Sequence, residues 1–501
     1  MSASQAKRSI SVITIDDDDS SQSDTVQLDT VGDDATTELP PPPELEIVVR
    51  SRDFARTVCA FPVRANRIET LLASGATTRA QVERHARSVR IGVHWRVREL
   101  MLAFLRFYAS PVAPNLSDDA RRLFRELAAG AEGGDVSAFA WRLVRNRPVT
   151  FLTSFDSSVL RNGARAGDRD AFTRIGTPDE TPPLCIADYI SYAEMTVSAL
   201  LTVSAYTTFI NAGERNNCGR RGAPGSFVPE GVYIAAVGAR FERDCQMETL
   251  FCVVNRNRST PDNGYGANGS PQGEYHGLLG VFAPFYGLSH FPSWQEAVAE
   301  YTARTSDREC RYSVLHGGEL FDRRAYRARI RVTLEATLFD ANQRGAEAAR
   351  PALLYVTGLG LGVWAITKIE QSQLFLEELA AAIAAHSLPH VGSIYVAWFP
   401  PETQRCGSAG DGDALSDKNG HSIGVGFGNA PPAAPLASNS LLVATFAYDS
   451  NSMIGNEYWE GALQASADPA AAACCTISEI ENAFVNPYYD ASATTILREL
   501  P

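Results

Sequence analysis

The spacing of apolar positions changes along this chain, and each change predicts a different kind of element. Residues 46–147 follow a helical period. In "TTRAQVERHARSVRIGVHWRVRELMLAFLRFY", Val82, Val89, Val93, Val97, Leu100, Leu102 and Leu105 recur at mixed three- and four-residue spacings with arginines between them. "SPVAPNLSDD" interrupts that run. Ser117 and the Asp pair after it then cap a second helix, "DDARRLFRELAAG", which Gly130 ends. From residue 148 the pattern is mixed: "GVYIAAVGARFE" and "ETLFCVVN" have the β-branched content of strands, and "TPDNGYGANGSPQGEYHG" reads as a long loop. "SWQEAVAEYTA" is a short helix capped by Ser293.

Beyond residue 346 strand and helix alternate more cleanly. "ALLYVT" is a buried strand, and "TKIEQSQLFLEELAAAIAAHS" is a helix on which Phe375, Leu379 and Ile383 repeat along one face. "SIYVAWF" is the next strand, so the unit predicts a parallel pair joined by a helical crossover. A third strand, "SLLVATFAYD", leads into "SNSMIGNEYW", and Asp468-Pro469 supplies an N-cap and first-turn proline for an alanine-rich helix. The expected organisation is an acidic, disordered tail (1–45), a small basic helical module (46–147), an α+β region (148–345) and an α/β region (346–501).

Charge sharpens this division. Residues 1–45 hold two basic residues against ten acids, whereas residues 50–147 hold eighteen arginines against nine acids, so the overall −13 describes neither part. The arginines are spread around the helices and interspersed with acids, which suits a solvated face better than a nucleic-acid surface. No window carries 18 uninterrupted apolar residues and no signal-peptide pattern opens the chain, so an intracellular protein with no membrane span is expected. Nine cysteines without a CxxC pair read as reduced thiols. His276, His290 and His316 lack metal-ligand spacing, and neither a metal nor a cofactor is expected.

Candidate chemistry gathers at two predicted strand ends. "YVTGLGLGVW" puts Gly358, Gly360 and Gly362 between a strand and a helix. There bare backbone N–H groups can approach a phosphate, and Trp364 can stack on a ribose or base. The spacing is neither GxGxxG nor a Walker loop, and a purely structural turn is the alternative. After the third strand come Asp449, Asn451, Asn456 and Glu457. Ligands of open α/β sheets lie beyond the carboxyl ends of strands, so the two ends are expected to face one cleft. Asn451 and Asn456 would contact ribose hydroxyls, and Glu457 or Asp449 would act as general acid or base. Arg240 and Glu242, at alternate positions, are expected to form a buried ion pair holding a loop.

The stretch "YVTGLGLGVWAITKIEQSQLFLEELAAAI…VGSIYVAWF" resembles the phosphate-loop half of a macrodomain. The ordered set "TTFINAGERNN", "VGARFERDCQME", "NGYG", "GLGLGVW", "SNSMIGNEYW" and "SADPAAA" resembles a family without assigned function whose core is macrodomain-like. The resemblance implies a mixed sheet flanked by helices and a ligand such as ADP-ribose or a related nucleotide diphosphate. It also brings hydrolysis of an ADP-ribosyl link into view. It matches Gly358, Gly360, Gly362 and Trp364 to the phosphate loop and Asn451 to a ribose contact. Two departures stand out: the asparagine-rich segment follows the glycine loop instead of preceding it, and the catalytic triple-glycine run is missing.

In the tail, "SVITIDDDDSSQSD" resembles a SUMO-interacting motif. Val12, Ile13 and Ile15 could add a strand to a partner's sheet edge, and Asp16, Asp17, Asp18 and Asp19 could meet a basic rim. The leading expectation is a nuclear protein recruited to SUMO-modified partners that recognises ADP-ribose. The alternative is a non-enzymatic interaction or scaffold protein of a virus or effector-secreting microbe.

Overall fold

A computed structural model describes residues 43–58, 65–152, 157–166, 170–304, 306, 310–436 and 439–500. The SUMO-like segment, residues 12–19, lies outside them, as does nearly all of the expected tail. Residues Glu44–Pro501 form one compact unit around a mixed α/β core.

At its centre is a nine-stranded sheet. In chain order its strands are β1 (Arg90–His94), β2 (Thr202–Thr208), β3 (Glu230–Ala236), β4 (Ala352–Thr357), β5 (Val391–Ala397), β6 (Ala414–Ser416), β7 (Ser422–Gly428), β8 (Leu441–Ala447) and β9 (Thr494–Leu497). They lie side by side as β6-β7-β5-β4-β8-β3-β2-β1-β9. The run β7-β5-β4-β8-β3 is parallel throughout, so five carboxyl ends share one rim. Parallel strands covered on both faces read as near-continuous apolar runs, as "ALLYVT" and "LLVATFA" do.

Helices flank the sheet. Helix α1 (Trp95–Ala109) follows β1 directly. Helix α2 (Arg323–Ala348) is 26 residues long, packs across several strands, and buries residues around most of its circumference. Helix α3 (Lys368–Ala385) is the crossover between β4 and β5 and packs on α2, burying Phe375, Leu379 and Ile383 as its periodicity predicts. The short helices α4 (Asn456–Glu460) and α5 (Asp468–Cys474) follow β8.

The structure differs from the sequence reading in three places. Residues 90–94, expected inside a helix, are a strand one in from the edge of the sheet, which ties the supposed basic module into the main sheet. The reason is contact: a Cβ at Gly92 would meet Thr202 Oγ1 at 2.2 Å and Leu497 Cδ1 at 2.6 Å, so that residue is fitted between β2 and β9. "ETLFCVVN" is a helical turn (Thr249–Cys252) followed by only two strand residues, because its backbone turns into a small separate sheet. Helix α5 is capped by Ala467, with Asp468 as its first residue and not its cap. The eight described cysteines are all free, and no described helix is long and apolar enough to cross a membrane.

Candidate active site

A cleft of about 540 Å³ opens at the rim where β3, β4, β5 and β8 end, within the size range of small-molecule sites. Gly358, Gly360, Gly362 and Trp364 line it from the loop after β4, and Asp449 and Glu457 line it from beyond β8. The two predicted strand ends therefore do meet in one hollow. Asn451 and Asn456 do not belong to its lining. The backbone N–H of Asn451 donates to Asp449 Oδ1 at 3.0 Å, an Asx turn that sends residues 450–452 inward to full burial. There Asn451 Oδ1 accepts from Arg240 Nη1 at 3.0 Å, and Asn456 sits buried at the start of α4. These two residues shape the loop instead of facing the cleft.

The glycine loop is built from two kinds of glycine. Leu359 and Leu361 alternate with the glycines and are both buried, Leu361 under the cleft that it also lines, leaving the glycine backbone bare. Gly360 has φ +75°, and a Cβ there would lie 2.7 Å from Ala239 O. Gly238 is its counterpart, since a Cβ on it would fall 2.2 Å from Leu359 O. These two glycines mate the rim loops after β4 and β3. Gly362 is different: a Cβ on it meets nothing within 4 Å. Gly360→Ala is accordingly expected to destabilise the fold by about 1–3 kcal/mol through strain, and Gly362→Ala to stay within about 0.5 kcal/mol of wild type. Urea unfolding of both variants checks this; equal stabilities would contradict it.

The loop hands over to α3 through Gln371, whose Oε1 accepts the N–H groups of Ile366 (2.9 Å) and Thr367 (2.8 Å). Lys368, the first residue of this helix, lines the cleft and adds to the positive potential of the helix start. Arg215 lines it from the loop between β2 and β3. That loop is held by Asn217, whose Nδ2 donates to Ala470 O at 2.9 Å, and by the Asn211–Asn217 side-chain bond of 3.1 Å. Among the described residues, neither Arg215 nor Lys368 has a carboxylate partner.

Acid gathers at the other end. Asp449, Glu457 and Asp468 all line the cleft and are half-buried. Asp468 Oδ2 accepts the backbone N–H of Asp449 at 3.2 Å, and Ser452 Oγ donates to Asp449 Oδ2 at 2.9 Å. Among the described residues, Glu457 Oε2 is buried with no hydrogen-bond partner. Burial, with the charges of Asp449 and Glu460 behind it, pushes the Glu457 carboxyl up to about 8. Burial also raises Asp449, against the bonds it accepts, and raises Asp468 well above the usual range with help from Glu457 and Asp449. Three adjacent carboxyls cannot all ionise, so the cluster holds protons at neutral pH. Among the described residues no group of three or more His, Cys, Asp or Glu is arranged to hold a metal ion.

Behind the cleft lies a buried ionic triad. Arg240 pairs with Glu248 (3.3 Å), which also takes Arg329 Nε at 2.7 Å. Glu242, the expected partner of Arg240, is exposed; the partner is eight residues on because the intervening loop folds back into a helical turn. Arg240 Nη1 then donates to Ser450 Oγ at 2.6 Å and so fixes the loop that carries Asp449.

Among the lining residues that the sequence reading gave no site role are the polar or aromatic Arg215, Lys368, Trp398 and Asp468. For Trp398 a signal existed, since it stands near the end of the predicted strand "SIYVAWF" and strand ends were already the rule for the site. Asp468 was absorbed as a helix cap. Arg215 lies in "TTFINAGERNN", which the family resemblance singled out without giving that arginine a role.

The chain is 31% identical over 358 residues to ADP-ribosylarginine hydrolase CG3568 of Drosophila melanogaster, covering 70% of this chain and 68% of that one. It is 29% identical over 363 residues to ADP-ribosylarginine hydrolase CG2909 of the same organism, with the same coverage. The family model described as ADP-ribosylhydrolase MavL-like matches residues 46–498, which replaces the expected family of unassigned function with one named for its hydrolysis. On that match, which spans nearly all of the compact unit, the chain belongs to the MavL-like ADP-ribosylhydrolase family.

Proposed function

We propose that this chain hydrolyses the bond between ADP-ribose and an arginine side chain. The observation that carries the reading is the two-signed cleft. Arg215, Lys368 and the bare glycine backbone suit a diphosphate, while Asp449, Glu457 and Asp468 suit a guanidinium beside it. The names of the two relatives point to the same linkage.

The carboxylates divide the chemistry by environment. Glu457, with its carboxyl pushed up to about 8, is protonated at neutral pH and acts as general acid toward the departing guanidine nitrogen. Burial raises the Asp449 carboxyl, and the bonds it accepts from Asn451 N and Ser452 Oγ oppose that rise, so it is the base that takes a proton from the attacking water. The C–N bond to the ribose breaks as the C–O bond to water forms. Asp468 holds Asp449 through its backbone N–H.

The test is release of ADP-ribose from peptides mono-ADP-ribosylated on arginine, serine or glutamate. The arginine-linked peptide is expected to react on the order of 10²-fold faster or more, because its guanidinium alone matches the acidic end. Equal rates would remove the arginine assignment, and no release from any peptide would return the chain to the non-enzymatic reading.

A further inference from the structure

Along the rim the strands run β5, β4, β8, so three features follow one another at strand spacing. Trp398 stands just past β5, the glycine loop past β4, and Asp449 past β8. Two strand spacings, about 10 Å, separate the first from the last. A nucleotide diphosphate joined to a second ribose has the same order: base, phosphates, distal sugar.

Trp398 is held in a conformation that bulky residues avoid, with φ +67°. Its backbone N–H donates to Gly428 O at 3.1 Å, and its Nε1 donates to Tyr355 OH at 3.1 Å. That hydroxyl in turn donates to Ala430 O at 2.7 Å. The ring lines the cleft, is 38% exposed, and carries the Arg215 guanidinium 4.5 Å above its centroid. Strain retained by such a set of bonds, at a ligand rim, is grounds for seeking a function. Trp364, the aromatic expected from the sequence, also lines the cleft and packs its other side on the hydrophobic core, on the glycine-loop side where the phosphates would lie.

We propose that Trp398 is the platform on which the nucleotide base stacks, and that Arg215 leaves its ring for the diphosphate when the base takes that place. The proposal rests on the ADP-ribose reading above and adds the base subsite to it. The exchange is favourable at both ends. Base stacking on an indole is stronger than an exposed guanidinium–ring contact, and a guanidinium on phosphate gains charge-assisted hydrogen bonds.

Calorimetric titration of wild type, Trp398→Ala, Trp398→Phe and Arg215→Ala with ADP-ribose and with ribose 5-phosphate tests it. Trp398→Ala is expected to weaken ADP-ribose about tenfold or more and leave ribose 5-phosphate, which has no base, unchanged; Trp398→Phe should recover most of the loss. Arg215→Ala is expected to weaken both ligands. A Trp398→Ala protein that binds ADP-ribose like wild type, or loses both ligands equally, overturns the platform, and unchanged binding by Arg215→Ala overturns the exchange. Wild type that binds neither ligand overturns the ADP-ribose reading itself, and the subsite with it.

Discussion

Replacing Glu457 by Gln is expected to slow release of ADP-ribose from an arginine-linked substrate by about 10²–10⁴-fold with little change in KM, the signature of a lost proton transfer. Gln keeps the size of the side chain and cannot supply a proton. Two pH dependences follow. Wild-type kcat should fall as pH rises through about 8, where Glu457 loses its proton, and the residual rate of the variant should lack that limb. Stability moves too. The carboxyl titrates at about 8 in the folded chain and at about 4.3 when unfolded. Its contribution to stability is thus fully present below about pH 4.3 and is lost as pH rises toward 8. Glu457→Gln removes that loss, so its Tm advantage over wild type should be larger at pH 8 than at pH 5. Thermal melts at the two pH values, set beside initial rates, read both effects. A variant that is slow but shows no pH-dependent gain would mean Glu457 is already ionised and is not the acid.

The elements nearest this chemistry were the most legible ones. Strands β4, β5 and β8 and helix α3 are buried parallel-sheet elements, so their apolar runs and the one-faced period of Phe375, Leu379 and Ile383 leave little ambiguity. The carboxyl-end rule then located the cleft, because the strand ends near 360 and 449 are adjacent in the sheet. What failed was direction. Asn451 and Asp449 are two residues apart, yet one turns inward to Arg240 and the other faces the cleft. That choice is made by a buried arginine 211 positions away in sequence, which no local pattern reports. Strand β1 failed for a related reason. Its five residues sit among arginine-rich helical sequence, and only Gly92, an awkward helix residue, hinted that the backbone there must come close to another chain segment.

That inward-facing machinery yields the second large expectation: Glu248→Ala should cost about 3–5 kcal/mol of stability. Glu248 is 1% exposed and is the common partner of Arg240 and Arg329, both equally buried. Burial alone would raise its carboxyl; the two guanidiniums override that and hold it below the usual range. Remove it, and two like charges share a dry site. Arg329 keeps bonds to the carbonyls of Ala199, Val237 and Gly238, whereas Arg240 retains Ser450 and Asn451 and loses its only carboxylate among the described residues. Urea unfolding should show the loss, and Glu46→Ala, which removes an exposed partner of Arg50, should cost less than about 1 kcal/mol. A destabilised but folded Glu248→Ala protein should also lose kcat at temperatures where it remains native, because Arg240 positions the turn that bears Asp449. If kcat in the native state were retained while stability fell, the triad would serve the fold alone, and the position of Asp449 would have to be fixed by Asp468 and Ser452 without it.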